Sequence, residues 1–505
     1  APMSVSLLCP EGKSKTTDTS FAERLSADLM LDESFSYITA DITKRRYFLS
    51  VLADVQPDPD IPLYRAEILR DFCSKPNLLE GLCIELRQLS ELRDDQQAER
   101  SRFYSVIRST DSESAFVTAA GIAEVSSAAA RKTLKKLAGI GELLRIYTCQ
   151  SRGLTALRER VAKLTTGPKF EELCELLGHT SSFGMDATYK MRAELNGYAR
   201  IASYELTGIT RPTSAEEVSG LKRLFAKKPN GAAHISGVRV DDKWGVLQND
   251  VLSGAMREIA ELAHSISQAV FDEFLPLLRE LCFYEVAAAY VEAMRKKRLP
   301  LCYPELTSDG PARYEELYDL FLCASYIDAG SVVPNDADLS HGGILVTGAN
   351  NTGKTVFLRS VGTAQLLAQA GLPIIAKSAT VRMRCGVYSL YAAAEKEFAP
   401  GVDAGRFEQE VRLVAEMLKS IKPGALVLIN ELFQTTSYPE GAEGLCGILR
   451  YLRSDVVGAD FIAVTHLTDL IDMMAGETVH MRTLEGENLY KLEKVTRSYW
   501  RGIGC

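Results

Sequence analysis

The chain has 505 residues, of which 46% are apolar and 25% charged, and its formal net charge is −8. That length exceeds what one hydrophobic core organises and predicts about two to four domains. The negative balance excludes a globally basic nucleic-acid binder, so any contact with a polyanion has to come from local patches. Eleven scattered cysteines form no CxxC pair, and six dispersed histidines show no metal-ligand spacing. A reduced, intracellular (cytoplasmic) setting is expected. No apolar run approaches the roughly 18–20 residues that span a bilayer, so no membrane partner is expected.

In chain order, residues 1–20 end in a polar Ser/Thr/Lys stretch and are expected to form a flexible tail. From about 21 to 310 the pattern is mostly helical. PLYRAEILRDFCSKPNLLEGLCIELRQLSELRDD repeats apolar residues at helical spacing and is broken at Pro76. SAFVTAAGIAEVSSAAARKTLKKLAGIGELLRIYTC is a long helical candidate, and SGLKRLFAKK a shorter one. Between about 185 and 247, YARIASYELTGITRPT and GAAHISGVRV mix β-branched and aromatic residues with Gly, Asn and Pro, which predicts a small strand-containing insert. The longest helical signal follows, from AMREIAELAH to VEAMRKK, with Pro276 expected to kink or divide it. Such lengths suggest levers rather than a compact bundle.

After about 310 the texture changes. Short apolar runs (GGILVTG, ALVLIN, FIAVTH) alternate with helical stretches, the signature of a parallel sheet covered by helices. The expected fold class is therefore multidomain: a mostly α-helical core and lever region (21–310) followed by an α/β domain (311–505).

Within that domain Gly348-Ala-Asn-Asn-Thr-Gly353-Lys354-Thr355 fits GxxxxGK[ST] between a strand and a helix, the context of a phosphate-binding P-loop. Glycines let backbone N–H groups wrap phosphates, and the helix N-terminus adds its positive dipole end. Lys354 supplies a point charge for the β- and γ-phosphates, and the Thr355 hydroxyl suits Mg²⁺. Asn351 and Val356 belong to the same nucleotide-holding set. A second strand ends in Asn430-Glu431. In P-loop enzymes an Asp at such an end holds the metal through water, and a neighbouring Glu orients the attacking water. Glu431 fits the latter role. Asn430 stands in the Asp position as a neutral metal-side ligand; magnesium prefers charged oxygens, so weaker Mg²⁺ affinity or slower hydrolysis is expected.

These residues resemble those of the MutS family, the mismatch-repair ATPases and their relatives. The run from VVPNDADLS through GGILVTGANNTGKTVFLRSVGTAQLLAQAG is similar to the family's P-loop region, VTHLTDL to its Thr-His switch, LPLCYPEL to the end of its lever helix, LYKLEKVTRSYW to its closing segment, and YRAEILRDFCSKPNL to the start of its helical core. The resemblance implies an ABC-superfamily ATPase that binds ATP and Mg²⁺, works as a homodimer with composite sites, and moves helical levers around DNA. It places Asn350 near the hydrolytic water and makes His466 a sensor of nucleotide state. It also places a trans-acting signature at Gly405-Arg406-Phe407-Glu-Gln-Glu410, where Phe407 and Glu410 match and Gly405 replaces the family's Ser, which puts the trans contact in doubt unless Arg406 substitutes.

ELFQTTS departs from the EIGRGTS form of mismatch-repair members. The helical core begins within about 25 residues of the start, which leaves no room for the family's mismatch-reading domain. Phe170-Glu-Glu172 fits that domain's Phe-x-Glu letters but lies in a helical segment, and no appended domain is expected after Cys505. Mismatch recognition of the usual kind is therefore not expected. The alternative reading is a nucleotide-gated binding module with little hydrolysis, gripping DNA or a protein. Basic clusters at Arg131–Lys136, Lys222–Lys228 and Arg295–Arg298 are candidates for a DNA channel, against the plainer reading of solvated helix faces.

Overall fold

In a computed structural model of the protein, the described residues are 5–13, 22–107, 112–179, 188–195, 201–210, 242–326, 329–392, 405–434 and 436–495. They are mostly helical, with the large sheet confined to the C-terminal part. Among them no helix is long and apolar enough to cross a membrane. The chain divides into two compact units that do not follow chain order. One comprises residues 1–79, 149–155 and 279–505; the other comprises 80–148 and 156–278.

The second unit is built on long helices. Ser112–Ile146 forms one helix, as its periodicity predicts. Small residues Ala119, Ala120 and Ala123 let it pack against Met256 and Ala260 of the helix Asp242–Lys296. Gly81 lies so close to Leu143 that a Cβ would sit 2.8 Å from its side chain. Arg160 and Glu273 form an ion pair at 2.5 Å. Strands β1 (Thr188–Leu195) and β2 (Ile201–Thr210) form an antiparallel hairpin within the expected insert. The insert ends earlier than 247, because the long helix already begins at Asp242. The segments at 219–228 and 231–240, and with them Lys222–Lys228, lie outside the described residues.

Two other expectations are corrected. Of the expected kink or division at Pro276, the division does not occur: the long helix runs unbroken over 55 residues. A proline there removes one ladder hydrogen bond and crowds the preceding turn, at about 3 kcal/mol. Phe274, Leu277 and Leu281 are each almost wholly buried and hold the helix through that point. The N-terminal stretch is not a free tail over residues 5–13. Leu7 and Leu8 are fully buried, the Leu7 N–H donates to Glu280 at 2.6 Å, and Arg65 donates to the Leu8 carbonyl at 2.8 Å. Two leucines give this polar-looking stretch enough apolar area to dock. As the sequence predicts, Pro76 marks a break: it opens the helix Pro76–Ile107, where its fixed φ and missing N–H are harmless.

In the first unit, short helices between Ala22 and Ser74 surround an aromatic core of Phe35, Phe48, Phe72, Phe283, Tyr284 and Tyr290. The small strands are β3 (Leu301–Cys302), β4 (Glu305–Thr307), β5 (Arg313–Leu317), β6 (Asn335–Asp338), β8 (Ile374–Ile375) and β9 (Ser378–Arg382). The main sheet contains β7 (Gly343–Thr347), β10 (Val387–Tyr391), β11 (Leu426–Asn430), β12 (Asp460–Val464), β13 (Val479–Thr483) and β14 (Leu492–Lys494), in the order β10-β11-β12-β7-β13-β14. All neighbours pair in parallel except β13 with β14. β7, β11 and β12 read as unbroken apolar runs because helices cover both faces of a parallel sheet.

Candidate functional site

Parallel register brings the carboxyl ends of β7, β11, β12 and β13 to one edge: Asn430 pairs with Val464, Val464 with Val346, and Val346 with Met481. Ligands of open α/β sheets bind at that edge. Beyond β7, residues 348–353 form a loop that leads into the helix Lys354–Gln369. Gly348 (φ 140°) and Gly353 (φ 95°) take backbone conformations that L side chains rarely adopt, and Asn351 (φ 63°) is left-handed. At Gly348 space alone demands glycine, since a Cβ would lie 1.8 Å from Thr483 Oγ1.

Lys354 is 4% exposed and its Nζ donates to the Gly348 and Ala349 carbonyls at 2.9 and 2.8 Å. Two of its three N–H groups are thus tied to the loop it serves. Burial lowers its pKa, and the charge of Glu431 opposes that shift. Thr355 Oγ1 donates to Asn430 Oδ1 at 3.2 Å, so the two metal-side candidates, one from the helix Lys354–Gln369 and one from the end of β11, meet. Glu431 leaves β11 in left-handed backbone (φ 58°), with its N–H on the Val464 carbonyl at 2.9 Å. Its Oε1 lies 3.4 Å from His466 Nε2, beyond the end of β12.

A cavity of about 660 Å³ lies over this edge. Asn350, Asn351, Gly353, Lys354, Thr355, Val356 and Glu431 line one part of it; Leu322, Tyr326, Val332, Val333 and Tyr490 supply an apolar and aromatic part. Buried cationic charge, loop amides and a helix N-terminus suit a polyanion, and the apolar part suits a flat ring system. Among the described residues no three His, Cys, Asp or Glu side chains gather as a metal site.

The residues at 405–410 are placed differently. Gly405 precedes the helix Arg406–Ser420, Phe407 is 45% exposed, and neither lines the cavity. Glu410 instead turns inward and accepts the Phe433 N–H at 2.8 Å. Of the other basic clusters, Arg131, Lys132 and Lys135 are exposed. Lys297 is committed to structure: its Nζ donates to the carbonyls of Cys323, Ala324 and Tyr326 at the end of the helix Leu320–Ser325.

Several residues that shape the site carry no motif. Thr352 donates to the Ala349 carbonyl at 2.7 Å, and its hydroxyl meets that of Thr483 at 2.6 Å. His480 Nε2 lies 2.7 Å from Thr347 Oγ1, and burial, with a smaller contribution from Arg482, pushes its pKa down to about 4. Asn335 uses both ends of its amide, donating to the Tyr490 carbonyl at 2.9 Å and accepting from the Leu492 N–H at 2.8 Å. This holds Tyr490 (φ 73°) beside Gly353. The only sequence signal for these residues is the strand spacing that places β13 and β6 near the loop.

The fold and site define an α/β domain with a glycine-shaped loop between a strand and a helix at the carboxyl edge of its sheet. Residues 344–498, which hold the whole loop, the Asn430–Glu431 strand end and His466, match the family described as MutS domain V. The Endonuclease MutS2 of Latilactobacillus sakei is 35% identical over 147 residues, covering 28% of this chain and 18% of that protein. The DNA mismatch repair protein MSH2 of Zea mays is 23% identical over 313 residues, covering 59% of this chain and 32% of that protein. The Endonuclease MutS2 of Lactobacillus helveticus is 26% identical over 266 residues, or 51% and 32%. Over these stretches the chain is similar to proteins of the MutS family. Its matched stretches span a third or less of the length of these relatives.

Proposed function

We propose that the chain is an ATP-binding and ATP-hydrolysing protein of the P-loop class, and that nucleotide occupancy drives a DNA-associated movement. The observation that carries this reading is that the buried Lys354, the helix N-terminus behind it and Glu431 all face one cavity. The loop amides and Lys354 hold the β- and γ-phosphates, and Leu322, Val332, Val333 and Tyr490 pack against the nucleoside. Glu431 accepts a proton from the attacking water and orients it; Asn350 stands beside that water, and His466, 3.4 Å from Glu431, follows the state of the γ-phosphate. The oxygens of Thr355 and Asn430 suit a magnesium ion that arrives with the triphosphate, and that ion would neutralise charge on the phosphate oxygens. In this reading residues 311–505 are the nucleotide-driven domain and 21–310 the helical core and levers. Two copies pair through the ATPase domain, with Gly405, Arg406 and Phe407, at the start of the helix, directed to the partner's nucleotide, while Glu410 of the same segment is buried within its own chain.

Steady-state hydrolysis with Mg²⁺ tests the reading in the native chain, Glu431→Ala and Asn430→Asp. A native rate that Glu431→Ala lowers by about 100-fold or more supports it. A second reading, nucleotide binding that switches conformation with little turnover, is favoured by the neutral Asn430 and by the missing hydroxyl at Gly405. It holds if the native rate is negligible and Asn430→Asp restores it. Binding to duplex and branched DNA tests the DNA part, since phosphate contacts weaken steeply with salt; negligible binding at low salt ends it.

A further inference from the structure

A carboxylate is buried against the turn that follows Glu431, for no reason the sequence motif gives. Glu410, in the helix Arg406–Ser420, is 3% exposed, and its Oε2 accepts the Phe433 N–H at 2.8 Å. Phe433 lies two residues beyond Glu431, and both have left-handed backbone, at φ 61° and 58°. Non-glycine residues rarely adopt that region, and two of them in one turn persist only where their surroundings fix them. The same helix grips the turn a second time, through the Phe407 ring at 5.4 Å from the Phe433 ring. From the other side the backbone at Gly441 comes close to the turn: a Cβ there would stand 2.7 Å from the Phe433 carbonyl.

We propose that Glu410 is a positioning residue for Glu431: its buried carboxylate fixes the Asn430–Phe433 turn and with it the direction of the Glu431 side chain. The inference rests on the reading of Glu431 as the group that orients water. The Phe433 N–H takes a hydrogen-bond acceptor at this point, which a glutamine carbonyl also supplies. Glutamine therefore preserves the contact, whereas methionine fills the space without it.

The test uses the full chain as native protein, Glu410→Gln and Glu410→Met, with Glu410→Ala as a second variant should Glu410→Met fail to fold. Three readouts are taken: nucleotide affinity, single-turnover hydrolysis, and hydrogen exchange of the peptide carrying the Phe433 amide. Glu410→Met should lower the hydrolysis rate about ten- to hundred-fold, leave affinity within about two-fold, and speed Phe433 exchange. Glu410→Gln should keep rate and protection near native. Equal loss in Glu410→Gln and Glu410→Met, or a native rate in Glu410→Met despite faster exchange, overturns the proposal. A native chain that binds ATP without single-turnover hydrolysis, or hydrolysis untouched by Glu431→Ala, overturns the reading of Glu431 and this inference with it. The exchange result separates that case, because it reports the turn whatever the rate.

Discussion

Two strand ends meet at the cavity, and they are shaped by opposite devices. Beyond β7 the unusual backbone falls largely on glycine, at Gly348 and Gly353, so the loop's shape is written into its own letters. Beyond β11 the left-handed positions fall on Glu431 and Phe433, which gain nothing from such backbone and are held by groups from β12 and the helix Arg406–Ser420. The first end is encoded locally and the second by tertiary contact. A local change should therefore destroy the first outright, whereas the second should respond to residues distant in the chain.

The largest effect is expected at Gly348. A Cβ there meets Thr483 Oγ1 at 1.8 Å and the backbone is strained for any L side chain, so Gly348→Ala should cost about 3 kcal/mol of stability and abolish nucleotide binding. Thermal unfolding measures the loss, and adding Thr483→Ala should recover part of it. Next comes His480. Its folded pKa of about 4 lies below the ordinary 6.5, so between those values the unfolded chain takes up a proton that the folded chain refuses. Stability should fall as pH falls from 6.5 toward 4, by about 1–3 kcal/mol, and level off below. Denaturant unfolding at several pH values should show that slope flattened in His480→Gln.

A smaller effect is expected at Asn335, which fastens Tyr490 through two hydrogen bonds. Asn335→Asp keeps the acceptor and loses the donor, so stability should drop by about 1–2 kcal/mol and nucleotide affinity should weaken more than affinity for inorganic triphosphate. The smallest effect on stability is expected at Gly405. A Cβ there meets nothing within 4 Å and the backbone is ordinary. Gly405→Ser should leave the unfolding free energy within about 0.5 kcal/mol, while raising hydrolysis if that position serves a partner's nucleotide. A large loss of stability would show that the position is packed after all.

This contrast also explains what the sequence discloses. The loop from Gly348 to Thr355, the Asn430–Glu431 strand end and His466 are legible because each sits where an apolar run meets a turn, and chemistry at such ends needs fixed spacing. Thr483 and His480 are not legible: they reach the loop only because β13 lies beside β7, a pairing made across more than 130 residues. Asn335 and Tyr490 meet across 155 residues for the same reason. Glu410 is visible as a letter of the 405–410 segment, but its inward contact with Phe433 is a fact of packing. The docked Leu7 and Leu8, and the helix unbroken at Pro276, are likewise decided by burial against remote residues rather than by local composition.

The most direct measurement is a calorimetric titration of the native chain and Lys354→Ala with ATP in the presence of Mg²⁺. Binding by the native protein, weakened about 100-fold or more in Lys354→Ala while the fold is retained, is the predicted result. No heat of binding with the native chain, or equal affinity in both proteins, would contradict it.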